Sequence, residues 1–224
     1  MLNASSIIAD FDNDGFADLA MAGTSTTNSR ANEVRILFGT ADGLRTDYQQ
    51  ILKSGNTRDR FGHAMAAGDL NGDGYQDLAI GAPHAFNTGT VYVYYGSENG
   101  LRNRELWHQN VDGLQGDRAQ RGDRFGESLA IGNFNGDRNT RTGLPIEDLA
   151  IGVPGEDVLV ESHNPAFPYP MKYDDAGSVH VVYGTARGLS VQHNQSWTQN
   201  SPGVEDVVDG DGAIFARFDT ASPY

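Results

Sequence analysis

The sequence predicts an all-β protein built from β-propeller-type blades, and three observations carry that prediction. A unit of about 60 residues recurs in tandem. Each copy holds short apolar runs with two-residue alternation, bounded by Gly, Asn and Asp. No stretch keeps a 3.6-residue apolar period over the length of a helix.

The repeat is clearest between its second and third copies. Arg60-Phe-Gly-His-Ala-Met-Ala-Ala-Gly-Asp-Leu-Asn-Gly-Asp73 returns as Arg124-Phe-Gly-Glu-Ser-Leu-Ala-Ile-Gly-Asn-Phe-Asn-Gly-Asp137. Asp77-Leu-Ala-Ile-Gly-Ala-Pro83 returns as Asp148-Leu-Ala-Ile-Gly-Val-Pro154, and Gly89-Thr-Val-Tyr-Val-Tyr-Tyr-Gly96 as Gly177-Ser-Val-His-Val-Val-Tyr-Gly184. The N-terminal copy holds Asp10-Phe-Asp-Asn-Asp-Gly-Phe-Ala-Asp18 and Glu33-Val-Arg-Ile-Leu-Phe-Gly39.

Each unit reads as four strands, in the second copy 61–68, 77–82, 90–95 and roughly 104–110. Gly43, Gly100 and Gly188 stand where a hairpin needs a positive φ. Four antiparallel strands per ~60 residues make one propeller blade. The chain is therefore one repeat region over 1–224: repeat one about 4–55, repeat two about 58–118 and repeat three about 122–200, with 201–224 starting a further repeat or closing strand. Repeat three carries insertions in its acidic loop and after Pro154, which fits strands as scaffold and loops as the variable part.

Composition narrows the function. The 224 residues include 30 Asp+Glu against 16 Lys+Arg, a formal net charge of −14. Such a surface repels phosphate backbones, so nucleic acid is not an expected partner. The absence of cysteine excludes disulfides, zinc–thiolate sites and thiol nucleophiles. Residues 1–6 show no signal-peptide pattern, and no apolar run has the roughly 20 residues of a membrane span.

The acid residues are clustered in loops. Asp10, Asp12, Asp14 and Asp18 occupy positions 1, 3, 5 and 9 of a nine-residue loop, and Asp69, Asn71, Asp73 and Asp77 repeat the pattern. Side chains two apart in a curled loop converge, and that many hard oxygen donors suit Ca²⁺. Gly at position 6 permits the reversal, and position 7 offers a backbone carbonyl, at Phe16 and Tyr75. An EF-hand would need Glu at position 12, where Met21 and Ile80 stand in strand-like segments. Mg²⁺ retains several waters and suits such a cage less well. A third loop keeps Asn133, Asn135 and Asp137, but Arg138 replaces the Gly, and Asp148 closes it only if the insertion bulges out. Two calcium sites are expected and a third is open.

Phe61-Gly62 with Gly81-Ala82-Pro83, and Phe125-Gly126 with Gly152-Val153-Pro154, resemble the FG-GAP repeat of integrin α-subunit heads and many bacterial extracellular proteins. The resemblance covers almost the whole chain. Repeat one departs from it, with Ala22-Gly23-Thr24 at the Gly-Ala-Pro position. It implies a β-propeller with calcium between the first two strands of a blade, ligated by the loop residues above, in an extracellular or cell-surface setting. It also implies a non-catalytic module for protein or ligand binding and adhesion. The alternative is a carbohydrate-binding or accessory fragment of a larger surface enzyme or lectin. Three blades do not close a ring, so a homo-oligomer, or missing blades from a longer chain, is expected.

Other features are weighed against structural roles. Arg121-Gly122-Asp123 matches a turn of the repeat rather than an adhesion signal. The six histidines form no zinc spacing, and His180 reads as structural. Trp107 and Trp197 fall in fourth strands as packing residues. The insertion Asn164-Pro-Ala-Phe-Pro-Tyr-Pro-Met-Lys-Tyr173 is either a recognition surface or, as its composition slightly favours, an arm packed on a neighbouring blade.

Overall fold

The computed structural model describes residues 5–23, 33–160 and 169–204. Three four-stranded antiparallel sheets follow one another along the chain. Sheet one holds β1 (Ser6–Ala9), β2 (Asp18–Gly23), β3 (Glu33–Leu37) and β4 (Gln49–Lys53). Sheet two holds β5 (Met65–Gly68), β6 (Asp77–Ala82), β7 (Thr90–Tyr95) and β8 (Arg102–Trp107). In sheet three, β9 (Ser128–Gly132) and β10 (Asp148–Val153) are followed by a small hairpin, β11 (Val158–Val160) and β12 (Met171–Tyr173), before β13 (Ser178–Tyr183) and β14 (Ser190–Thr198). Each four-stranded sheet is an up-and-down meander, and none closes on itself. The architecture is all-β and consistent with propeller blades.

The alternation in β6 and β7 serves two cores rather than one core and water. Leu78, Ile80, Ala82, Tyr92 and Tyr94 pack with Phe11, Val34, Ile36 and Phe61 between sheets one and two. Ala79, Val91, Val93 and Tyr95 pack with Phe125, Leu149, Ile151 and Val182 between sheets two and three. Both strands are therefore buried along their whole length.

Two strand boundaries differ from the sequence expectation. The first strand of sheet two begins at Met65, not at 61, because Phe61-Gly62 makes a turn. Arg60 and Gly62 adopt φ of 57° and 87°, and the Gly62 N–H donates to the Gly81 carbonyl at 3.1 Å. In sheet three the Gly126 N–H donates to Gly152 in the same way, at 3.0 Å. A Cβ on Gly81 would stand 2.1 Å from the Gly126 carbonyl oxygen, so the sheets approach too closely there for any side chain. The fourth strand runs Arg102–Trp107, earlier than 104–110, because the β7–β8 pairing shifts register between Val93 and Tyr95. The β13–β14 pairing carries the equivalent shift between Val181 and Tyr183.

The acidic-loop ends also join neighbouring sheets. The Gln76 N–H donates to the Asp10 carbonyl at 3.3 Å, and the Glu147 N–H to the Asp69 carbonyl at 2.9 Å. The position-2 side chains Phe11 and Leu70 fill these seams and are fully buried. Phe134, their counterpart in sheet three, is 53% exposed.

Of the 155–176 insertion, residues 161–168 lie outside the described residues. The β11–β12 hairpin packs Val158 and Ala176 with Val160 and Tyr173 in a small cluster of its own. Tyr169 and Met171 are exposed, so this part of the insertion is not an arm buried on a neighbouring blade. Of the further repeat or closing strand expected over 201–224, residues 205–224 also lie outside the described residues.

Candidate metal centre

Each acidic loop connects the first and second strands of its sheet: 10–18 between β1 and β2, 69–77 between β5 and β6, and 133–148 between β9 and β10. Loops one and two share one internal hydrogen-bond register. The two carboxylate oxygens of Asp10 accept the N–H groups of Asp14 (3.2 Å) and Gly15 (2.9 Å). Those of Asp69 accept from Asp73 (3.1 Å) and Gly74 (2.8 Å). Asp14 and Asp73 then accept the N–H of Phe16 and Tyr75 at 2.9 and 3.0 Å. The reversal uses left-handed backbone at position 6, Gly15 and Gly74. It also uses position 4, where Asn13, Gly72 and Gly136 all have positive φ.

The position-9 aspartate has a role that the spacing did not reveal. Asp77 accepts the Leu70 N–H on one oxygen and the Gly96 N–H on the other, both at 2.8 Å. Asp18 does the same with Phe11 and Gly39, and Asp148 with Phe134 and Gly184. Each of these carboxylates is buried and ties its loop to the end of its third strand. A Gly follows that strand because its Cα faces the backbone of the residue before the aspartate: a Cβ on Gly96 would lie 2.5 Å from the Gln76 carbonyl oxygen.

In loop one, Asp10, Asp12 and Asp18 bring carboxylate oxygens within 4.8 Å of one another. Asp14 stands outside that group. Among the described residues no other three acidic or histidine side chains converge as tightly. In loop two the Asn71 amide donates to Asp73 at 3.0 Å, so positions 3 and 5 meet each other.

Loop three forms because its insertion does bulge out. Arg138, at position 6, does not make the left-handed reversal. The chain instead leaves as a small hairpin bridged at Arg138 and Pro145, and returns so that Asp148 reaches Phe134. Asn133 consequently bonds differently from Asp10 and Asp69, accepting the Gly136 N–H at 2.6 Å.

The insertion clamps the neighbouring loop. Asn139 and Thr142 donate to the carbonyls of Asn71 (3.0 Å) and Gly72 (2.6 Å), and Glu147 accepts the Asp69 N–H at 2.7 Å. Glu147 was missed by sequence reasoning. Its only signal is its place before Asp148, where repeat two has Gln76.

Electrostatics matches this crowding. Burial, then the Asp18 and Asp14 charges, push Asp12 up to about 6. Burial outweighs two backbone hydrogen bonds and pushes Asp77 up to about 8. Asp18, Asp69 and Asp148 are also raised, chiefly by burial. A divalent cation fits this donor set, which is all hard oxygen. Asp12 Oδ1 in loop one and Asp137 Oδ1 in loop three are buried without a hydrogen-bond partner, the situation a cation resolves.

A family model described as FG-GAP repeat matches residues 61–94. The match spans the Phe61-Gly62 turn, loop two and the Gly81-Ala82-Pro83 end of β6. This chain carries the FG-GAP repeat. Its two named halves are the donor and acceptor of the Gly62–Gly81 hydrogen bond. Among curated proteins, this chain is 40% identical over 114 residues to integrin alpha-PS3 of Drosophila melanogaster, covering 50% of this chain and 9% of that protein. It is 37% identical over 134 residues to phosphatidylinositol-glycan-specific phospholipase D of Mus musculus, covering 58% and 14%. It is 33% identical over 150 residues to integrin alpha-3 of Mus musculus, covering 64% and 14%. The aligned stretch is thus a small part of each relative's length.

The remaining candidates are structural. Asp123 of Arg121-Gly122-Asp123 is buried and accepts the Gln120 N–H, so its carboxylate is not displayed, although Arg121 and Gly122 are exposed. His180 is buried beside Phe125, and burial depresses it to about 4. Trp107 is buried, and Trp197 donates to Gln195 at 3.2 Å.

Proposed function

We propose that this chain is a calcium-binding, non-catalytic propeller module for extracellular protein or ligand binding and adhesion. The observation that carries the reading is the convergence of Asp10, Asp12 and Asp18, with one Asp12 oxygen buried and unpartnered. Three carboxylates so close repel one another unless a cation offsets their charge. Asp10, Asp12, Asp14 and Asp18, with the Phe16 carbonyl, hold the first ion. Asp69, Asn71, Asp73 and Asp77, with the Tyr75 carbonyl, hold the second. Asn133, Asn135, Asp137 and Asp148 offer a third site. The similarity to integrin alpha chains supports the adhesion and surface placement. Calorimetric titration of chelator-stripped chain with Ca²⁺ is expected to show two or three sites. Loss of loop-one binding in Asp12→Ala is expected too, and a titration without saturable heat ends the calcium reading.

The similarity to the phospholipase D favours a second reading, an accessory region within a larger surface enzyme. We extend the first reading to assembly through the Phe134 face of sheet three. Equivalent positions in the two described seams are buried by a following sheet, which a second copy can supply. Light scattering is expected to give about twice the 24.2 kDa chain mass. A monodisperse monomer sinks this extension.

A further inference from the structure

Between the β6–β7 turn and the segment leading into β9 lies an open cleft of about 390 Å³, lined in part by His84, Asn87, Arg121, Arg124 and Asp175. It sits at the opposite end of β6 from loop two, about 17–20 Å away at strand rise. On a chain of net charge −14, two guanidinium groups at one cleft run against the composition. Neither Arg121 nor Arg124 forms an ion pair among the described residues.

The backbone here is also unusual. Of the eight described non-glycine residues at positive φ, Asn87 and Asp175 line this cleft and Phe86 adjoins it in sequence, whereas Arg124 repeats the Phe-Gly turn geometry of Arg60. Left-handed backbone is rare for bulky residues and concentrates at binding sites. Phe86, next in sequence to the lining residue Asn87, is 74% exposed, so its aromatic ring is free to meet a ligand.

We propose that this cleft binds a sugar bearing an acidic group, its carboxylate or sulfate held by Arg121 and Arg124. Arginine's planar fork matches such oxyanions. Asp175 repels a bare anion but accepts hydrogen bonds from sugar hydroxyls, and the Asn87 amide can donate or accept. The apolar C–H face of a pyranose packs on Phe86. A volume of about 390 Å³ lies in the range of small-ligand sites. The proposal rests on the chain being a binding module but not on its calcium loops.

The test is titration of the whole chain, by calorimetry or nuclear magnetic resonance, with glucuronate, glucose 6-sulfate, glucose, acetate, inorganic sulfate and a Glu-Glu dipeptide. Glucuronate or glucose 6-sulfate is expected to bind at least about tenfold more tightly than the other probes. The better of the two tells carboxylate from sulfate. Arg121→Ala and Arg124→Asn, the latter chosen because Asn tolerates left-handed backbone, are each expected to weaken that binding about tenfold. Phe86→Ala is expected to weaken it about threefold. Should Arg124→Asn not fold, the exposed Arg121→Ala decides. Binding that persists under chelation separates this site from the calcium loops. Anionic sugars no better than acetate, a tighter Glu-Glu dipeptide, or variants that bind as the parent does would each overturn the proposal.

Discussion

Chelating calcium is expected to lower the melting temperature of this chain by roughly 10 to 20 °C. Two sites held at about one hundred times their Kd stabilise by ~2.7 kcal/mol each, and each kcal/mol moves a chain of this size by roughly 2–4 °C. The effect is large because the loops are crowded with like charge. Asp10, Asp12 and Asp18 converge, and Asp77 is buried where its charged form is disfavoured. The pH dependence tests the same point with opposite signs. In chelator, Asp12 and Asp77 sit at about 6 and about 8, above the ordinary 3.8. Between these values the folded chain holds protons that the unfolded chain has released, so stability falls as pH rises from about 4 to about 8. With calcium the sign reverses, because protons compete with the ion for the carboxylates. Melting curves at about pH 5 and about pH 8, with and without chelator, give four values. The same slope in both conditions, or no response to chelator, removes calcium from the account.

Asp77→Ala is expected to destabilise the chain by about 4 kcal/mol even in chelator, as read by urea denaturation. The substitution leaves the N–H groups of Leu70 and Gly96 without acceptors in a dry interior, at roughly 1–3 kcal/mol each. Asp14→Ala, at an exposed position with a local turn bond, is expected to cost under about 1 kcal/mol in the same buffer. Equal effects from the two would mean that Asp77 is not the tie described here. The pair also separates two roles that one loop pattern combines. On the proposed calcium reading Asp14 acts through the ion, whereas Asp77 ties the loop with or without it.

The second and third strands were legible to the residue, as Asp77–Ala82 and Thr90–Tyr95. Asp marks the start of one and Gly closes the other, and each mark has a structural cause in the Asp77–Gly96 hydrogen bond. The first strand was read too long because Phe61-Gly62 looks apolar and extended in sequence. Its backbone instead turns to reach Gly81, a partner 19 positions away that local pattern does not reveal. The loops were legible as acid clusters but not as geometry. Spacing gave Asp14 and Asp12 equal standing, yet only Asp12 joins the tight group. Nor could spacing show that the third-repeat insertion folds out as a hairpin and grips loop two through Asn139, Thr142 and Glu147. Those contacts cross 68 to 78 positions of sequence.

The hydrogen bonds from Gln76 to Asp10 and from Glu147 to Asp69 have a consequence for how the chain comes apart. Each joins a loop of one sheet to the strand that opens in the next. Sheets coupled in this way form a one-dimensional array in which every unit senses only its neighbours. Fraying at one loop loosens the next seam before it reaches any other. If loop one holds the proposed ion, that ion is expected to shield β6 from a protease as well as β2, with damage spreading by successive seams rather than by simultaneous collapse.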